Sequence, residues 1–121
     1  MSDATQQVQE ISPEQARQLR DDGRAVIIDV REPHEYQAER IHGALLYPLS
    51  TFDPAGLPED GDKQVIFHCG VGGRSMKAAQ QCLASGRPVA AHITGGLKAW
   101  KDSGLPTVNV DPRTGQVVDN G

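Results

Sequence analysis

Long apolar runs, basic clusters and aromatic residues are all scarce in this sequence. No stretch approaches the ~20 consecutive apolar residues that a membrane-spanning helix requires, and the polar stretch from Met1 to Gln9 lacks the apolar segment of a secretory signal. Acidic residues outnumber basic residues by 16 to 12, and without a basic cluster nonspecific nucleic-acid binding is not expected. These absences predict a cytoplasmic domain with no membrane span and no nucleic-acid partner.

Cysteine is scarce as well, since Cys69 and Cys82 are the only two in the chain. Such a pair makes neither a disulfide framework nor a zinc site, and reduced thiols are the default for a cytoplasmic protein. The histidines His34, His42 and His92 show no paired spacing. We therefore expect no metal site.

The length and the hydrophobic pattern predict one domain of the α/β class. A chain of 121 residues can form a core that needs no disulfide or metal. Short β-branched runs predict strands at 8–11, 25–28, 43–49, 65–67 and 89–93, and the segments between them predict helices at 13–21, 32–39, 75–84 and 97–102. Strands that alternate with helices imply a mainly parallel sheet with helices on both faces.

Polar segments mark the expected boundaries of this domain. Residues 1–7 are polar and are expected to be flexible, residues 8–108 form the predicted domain, and residues 109–121 are polar and are interpreted as a C-terminal tail. The stretch 53–62 holds two prolines and two glycines, which predicts a loop.

The clearest chemical signal follows the predicted strand at 65–67. There Cys69 is followed by Gly70, Val71, Gly72 and Gly73, and then by Arg74 and Ser75. The glycines let the backbone turn sharply and direct successive N–H groups inward, as in an anion-binding nest. A helix that begins near Arg74 adds free N–H groups and a partial positive charge, and the guanidinium adds a fixed cation. All three effects favour a thiolate, so we predict that the pKa of Cys69 lies below the usual value of ~8.5.

The alternative is that Cys69 is a small buried apolar residue beside an ordinary turn. Free cysteines are among the most buried residue types, so this interpretation holds for many of them. An ordinary turn uses one or two glycines, whereas this loop has three, with an arginine and a helix start behind them. The pattern favours a reactive cysteine.

From about Ile11 to Pro106, the sequence resembles the rhodanese family. Five short motifs in the family's order carry the resemblance: Asp-Val-Arg-Glu at 29–32 with His-Glu-Tyr at 34–36, Ile-His-Gly-Ala at 41–44, the loop at 69–75, Gly-Gly-Leu-Lys-Ala-Trp at 95–100 and Gly-Leu-Pro at 104–106. The chain is most similar to rhodanese domains that precede two transmembrane helices in small bacterial membrane proteins. No such helices follow here, which leaves a free-standing relative or a segment of a longer protein.

The resemblance implies a sulfurtransferase with a sheet of five parallel strands and no metal or organic cofactor. Cys69 would attack a donor such as thiosulfate or a persulfide, become a persulfide, and pass its outer sulfur to cyanide, a thiol or a protein acceptor. The substrate-binding residues would be the six that follow the cysteine: Gly70, Val71, Gly72, Gly73, Arg74 and Ser75. Arg74 would help to hold an anionic donor.

Two other functions remain open on the same architecture. Some phosphatases and arsenate reductases read His-Cys, five residues, Arg and then Ser or Thr, whereas here four residues lie between Cys69 and Arg74. The shorter loop suits a single sulfur better than a tetrahedral phosphate. A non-catalytic docking module is the third function, but such modules often lack the cysteine that this chain retains.

Asp29 and Arg31 follow the predicted strand at 25–28, at the edge of the sheet where ligands gather. They are expected either to shape the pocket and steer anions or to form a structural salt bridge or cap with Glu32 or Glu35.

His68 and Cys82 are both predicted to be structural residues. Strand alternation directs His68 away from the side chain of Cys69. Cys82 lies about 10 Å along the predicted helix from Ser75, too far for direct disulfide pairing with Cys69. We therefore interpret Cys82 as a core residue.

Overall fold

The computed structural model describes residues 7–57 and 63–120. Over these residues the strands are β1 (Gln9–Ile11), β2 (Ala25–Asp29), β3 (Glu39–Arg40), β4 (Leu45–Leu46), β5 (Gln64–His68), β6 (Ala91–Ile93), β7 (Val108–Val110) and β8 (Val117–Asp119). The α-helices are α1 (Pro13–Asp21), α2 (Pro33–Ala38), α3 (Gly73–Ala84) and α4 (Gly96–Asp102), and short 3-10 turns cover Leu49–Thr51 and Pro54–Gly56. Of the predicted flexible residues 1–7 and the predicted loop at 53–62, residues 1–6 and 58–62 lie outside the described residues.

Five strands form one parallel sheet in the order β1-β6-β5-β2-β4. Strands β2 and β5 are central and in register, with Ile28 opposite Phe67 and Asp29 opposite His68. Both strands therefore end at the same edge of the sheet, directly before Val30 and Cys69. The α/β class and the five parallel strands predicted from the sequence are confirmed.

Alternation along the central strands separates two apolar clusters, one on each face of the sheet. Ile27 and Ile66 lie in a cluster with side chains from α1 and α4. Ile28 and Phe67 lie in a second cluster with side chains from α3, Cys82 among them. Burial of each such aliphatic or aromatic side chain stabilises the fold by roughly 1.5–3 kcal/mol. Helices thus cover both faces, and Cys82 is a core residue as predicted.

Local signals place the helix starts close to where the sequence predicts them. The Ser12 hydroxyl accepts a hydrogen bond from the Gln15 amide at 3.1 Å, and Pro13 occupies the first helical position of α1. Helix α3 begins at Gly73, two residues before its predicted start. Strand β6 begins at Ala91, two residues after its predicted start, because Pro88 cannot donate to a strand partner and Val89 is exposed.

The stretch interpreted as a tail contains a strand, which corrects the expectation for residues 109–121. Strand β8 pairs antiparallel with β7, and β7 pairs antiparallel with β3, in a small second sheet. Gly115 adopts a φ of 72° in the turn between β7 and β8, a conformation that glycine adopts without strain. All three residues of β8 are exposed, so no buried apolar alternation marks this strand in the sequence.

The second difference concerns the predicted strand at 43–49. Only Leu45 and Leu46 pair with β2, and a 3-10 turn follows at Leu49–Thr51.

Within residues 7–57 and 63–120, no helix is long and apolar enough to cross a lipid bilayer.

Candidate active site

Cys69 lies at the end of β5, at the base of a loop that leads directly into α3. The loop turns through Gly72, whose φ of 113° is accessible to glycine and strained for other residues. The Gly72 amide donates a hydrogen bond to Cys69 Sγ at 3.0 Å. Cys69 is 1% exposed, whereas the Val71 side chain at the tip of the loop is 71% exposed. The backbone of the loop therefore covers the Cys69 sulfur.

The surroundings of Cys69 act on its pKa in opposite directions. Burial of the sulfur raises the pKa, because the charged form loses contact with water. Hydrogen bonds from the Ser75 hydroxyl and from the backbone amides of Ser75, Gly72 and Val71 lower it. The hydrogen bonds outweigh burial, so the net shift is downward. The arrangement favours a thiolate.

Helix α4 fixes the other side of the loop. The Leu97 amide donates to the Cys69 carbonyl at 2.8 Å, and the Lys98 amide donates to the Gly70 carbonyl at 3.0 Å. A Cβ on Gly96 would lie 2.7 Å from the Gly70 carbonyl carbon and even closer to the Cys69 carbonyl oxygen. Only glycine allows this approach, which explains why the Gly-Gly motif at 95–96 accompanies the cysteine loop.

Arg74 does not stand alone as the predicted rim cation. Its guanidinium donates two hydrogen bonds to the Glu35 carboxylate, Nη1 to Oε1 at 2.7 Å and Nη2 to Oε2 at 3.0 Å. The Glu32 amide donates to the same carboxylate at 3.0 Å and fixes it at the start of α2. The Arg74 guanidinium lowers the pKa of Glu35 to about 2. Glu35 therefore belongs to the rim of the site, although the sequence motif alone did not assign it a role.

Asp29 and Arg31 pair with each other, so the predicted partners Glu32 and Glu35 are wrong. Arg31 Nε lies 3.0 Å from Asp29 Oδ1, and Nη2 lies 2.8 Å from Oδ2. Arg31 also donates to the Glu39 carbonyl at 2.6 Å. Burial raises the pKa of Asp29, but the neighbouring His68 and the Arg31 guanidinium outweigh it and hold the pKa well below its usual value. The pair is buried, which indicates a structural role beneath the site.

His68 is fully buried and is turned away from Cys69 Sγ. Its Nδ1 lies 3.2 Å from the Cys69 carbonyl oxygen. Its Nε2 lies 3.3 Å from Asp29 Oδ2 but has no well-aligned hydrogen-bond partner among the described residues. The contacts support the structural role that strand alternation predicts.

His92 is a residue near the site that the sequence reasoning missed. It lies on β6 opposite Phe67 of β5 and is 3% exposed. Its Nδ1 lies 2.8 Å from Ser75 Oγ, and Ser75 Oγ lies 3.6 Å from Cys69 Sγ. Sequence spacing gave no signal for this contact because it joins separate elements of the fold.

Apart from the Cys69 loop, the described part of the chain has a cavity that could hold a ligand but no metal-binding cluster. No cluster of three or more His, Cys, Asp or Glu side chains there could hold a metal ion. A cavity of about 340 Å³ lies at the opposite edge of the sheet, where Arg24, Gln64 and Val89 are among its lining residues. It includes no residue of the Cys69 loop.

Residues 12–103 match the family model for the rhodanese-like domain. The chain belongs to the rhodanese-like domain family. The resemblance predicted from the five motifs is therefore confirmed.

Three similar proteins show the range of this rhodanese-like family. An uncharacterized protein of Synechocystis sp. is 40% identical over 108 residues, which cover 89% of this chain and 60% of that protein. The probable adenylyltransferase/sulfurtransferase MoeZ of Mycobacterium tuberculosis is 36% identical over 74% of this chain and 24% of its own length. The crystal structure of a thiosulfate sulfurtransferase from Pseudomonas aeruginosa superposes with a TM-score of 0.72 and 28% identity, over 94% of this chain and 21% of that one. This chain thus spans only part of each protein, and two of the three carry sulfurtransferase names.

Proposed function

We propose that this rhodanese-like domain is a sulfurtransferase that carries sulfane sulfur on Cys69. The observation that carries the proposal is the set of N–H and O–H donors around Sγ, with the Gly72 amide at 3.0 Å and further donors on Val71 and Ser75. Such donors stabilise a sulfur anion without water or metal. The sulfurtransferase names among similar proteins support the same reaction class.

The proposed reaction has two balanced steps. The Cys69 thiolate attacks the sulfane sulfur of the donor, a new S–S bond forms at Sγ, and the donor's S–S bond breaks. The electron pair of the broken bond leaves with sulfite when thiosulfate is the donor, or with a thiolate when a persulfide is. An acceptor thiolate or cyanide then attacks the outer sulfur, and Cys69 leaves as a thiolate.

The size of the loop favours sulfur transfer over phosphate hydrolysis. Four residues separate Cys69 from Arg74, so the loop is short. The Gly72 amide donates to Sγ at 3.0 Å, and the amides of Val71 and Ser75 also lower the pKa of that sulfur. The lowered pKa of Cys69 favours a reactive centre over a docking module without turnover.

The proposed enzyme binds its donor at the loop and acts without a cofactor. Gly70, Val71, Gly72, Gly73, Arg74 and Ser75 form the proposed binding loop. The reaction takes place in the cytoplasm and uses a small sulfur donor with a thiol, cyanide or protein acceptor. It needs no metal or organic cofactor. Asp29 and Arg31 support the loop from below.

Intact-mass measurement after incubation with thiosulfate tests the proposal. We expect a gain of one sulfur atom that is lost on addition of cyanide or a thiol. Cys69→Ser should abolish both the gain and thiosulfate-to-cyanide turnover, whereas Cys82→Ser, the matched control, should retain both. Sulfur loading that survives in Cys69→Ser, or faster aryl-phosphate than thiosulfate turnover in the unmodified protein, would contradict the proposal.

A further inference from the structure

Four side chains from separate elements form a continuous chain behind the reactive sulfur. Cys69 Sγ lies 3.6 Å from Ser75 Oγ, which lies 2.8 Å from His92 Nδ1. On the far side of the ring, His92 Nε2 lies 3.3 Å from Glu10 Oε1. Cys69, Ser75 and His92 are buried, and the Glu10 side chain is 57% exposed. The chain therefore runs from the sulfur to the protein surface.

A count of protons limits how these groups can share hydrogen bonds. The Ser75 hydroxyl has one hydrogen and lies near three acceptors: Cys69 Sγ, His92 Nδ1 and the Gly72 carbonyl oxygen at 3.2 Å. When Ser75 donates to a thiolate, the 2.8 Å contact to Nδ1 requires a proton on Nδ1. The Glu10 carboxylate favours a proton on Nε2. With a Cys69 thiolate, both contacts are satisfied together only by an imidazolium ring. With a Cys69 thiol that donates to Ser75 Oγ, a neutral ring that carries its proton on Nε2 satisfies them.

We propose that His92 is a positioning residue that acts through Ser75 and takes up the proton that Cys69 loses. The Cys69 proton passes to Ser75 Oγ, and the Ser75 hydroxyl proton passes to His92 Nδ1. A thiol and a neutral imidazole become a thiolate and an imidazolium, so the total charge is unchanged. The inference deepens the proposed sulfur transfer and rests on it for the use of the thiolate.

The surroundings of His92 support a charge pair. Among the described residues, Glu10 of β1 faces the ring from one side, and Cys69, which directly follows β5, lies beyond Ser75 on the other. Helix α3 contributes the uncharged Ser75. At 3% exposure, an imidazolium would need a nearby anion in place of water. The Cys69 thiolate supplies an anion at the buried end, and Glu10 supplies a second anion at the surface.

The rate of Cys69 alkylation by iodoacetamide, measured against pH in a Cys82→Ser background, tests the proposal. The Cys69–Ser75–His92 hydrogen-bond chain predicts a profile with two steps. In the first step, at lower pH, the thiolate lies beside an imidazolium ring. In the second step, at higher pH, it lies beside a neutral ring. His92→Asn keeps a donor near the Nδ1 position but cannot take up a proton. It should give one step with a midpoint higher by about one pH unit, which is about tenfold less thiolate at low pH.

Two further variants show whether the effect passes through Ser75. Ser75→Ala should also give a single step, and the double variant with His92→Asn should show no second step and little added change from the His92 substitution. Ser75→Thr should restore the two steps. His42→Asn, which alters an exposed histidine paired with Asp119, is the matched control and should leave the profile unchanged.

Nitrogen NMR of the unmodified protein provides a readout that needs no substitution at His92. At neutral pH both ring nitrogens should carry protons, and alkylation of Cys69 should remove one. A singly protonated ring in the free protein, or an unchanged two-step profile in His92→Asn, would overturn the inference. A two-step profile without sulfur loading would refute the proposed function alone, whereas loading with a single-step wild-type profile would refute the role of His92 alone.

Discussion

Cys69 and Cys82 are equally buried, with 1% of each residue exposed, yet their surroundings differ. Cys82 lies inside α3, where backbone amides donate to carbonyl groups one turn back, and it packs in the apolar cluster with Phe67 and Leu83. Cys69 lies where a strand has ended and a helix has just begun, and several amides there have no helical acceptor. The sulfur takes the place of that acceptor.

This comparison shows that burial alone does not make a cysteine reactive. Burial works to raise the pKa of Cys69, and only the donors from the loop and Ser75 reverse the direction. The donors of the loop and of Ser75 therefore set the direction of the pKa shift at Cys69. Changes that weaken those donors should raise the pKa of Cys69 and lower its reactivity.

The largest effect is expected from Gly96→Ala. The added Cβ would meet the Gly70 carbonyl carbon at 2.7 Å and push the amides away from Sγ, so sulfur transfer should fall by at least about tenfold. Gly104→Ala is the matched control, since Gly104 has a φ of 78° and, among the described residues, no atom near its Cβ position. Both variants bear the same backbone strain of about 1–2 kcal/mol. Steady-state kinetics would measure the activity of each variant, and urea unfolding would measure its stability. An equal loss of activity in the two variants would contradict the role of close packing at Gly96.

A smaller effect is expected at Arg74, whose guanidinium adds a positive charge to the site beside the backbone amides of the loop. Arg74→Ala should raise the KM for thiosulfate by up to about tenfold, a loss below that of a fully buried charge-assisted bond because the pair is partly exposed. Glu35→Gln should lower that KM, because the carboxylate no longer competes for the guanidinium. An uncharged donor is the control. Equal losses for both donors would show that Arg74 only supports the loop.

The smallest effect is expected in the pH dependence of stability. The pKa of Glu35 is lowered from 4.5 to about 2 in the folded protein, so the folded state favours the ionised carboxylate. Its contribution should be present above pH 4.5 and should disappear as the pH falls toward 2. Urea unfolding of wild type and Glu35→Gln should therefore differ at pH 6 and converge near pH 2. Glu14→Gln, in the exposed first turn of α1, is the control and should show a smaller difference across this range.

Local chemistry made the fold and the position of Cys69 between a strand and a helix predictable. The central strands β2 and β5 carry β-branched runs with polar ends, and the glycine loop after Cys69 is contiguous in sequence. Glu35 lies 39 positions from Arg74, and His92 lies 17 positions from Ser75. Such contacts depend on how the strands are ordered in the sheet, and no local pattern encodes them.

The missed strand has a different physical cause. Strand β8 is exposed along its whole length, so its pairing with β7 rests on backbone hydrogen bonds and not on an apolar face. Sequence patterns report side-chain burial, and a strand that buries no side chain leaves little trace in them.

The depth of Cys69 also has a consequence for the regiochemistry of the proposed transfer. A sulfur added to Sγ would stand one S–S bond, about 2.05 Å, from its anchor. Because the anchor is 1% exposed and roofed by the loop backbone, an incoming thiolate reaches the outer sulfur far more easily than the inner one. Attack on the outer atom passes the sulfur onward, whereas attack on the inner atom would join the acceptor to the protein as a mixed disulfide. The loop thereby favours transfer of the sulfur to the acceptor over formation of a mixed disulfide with Cys69.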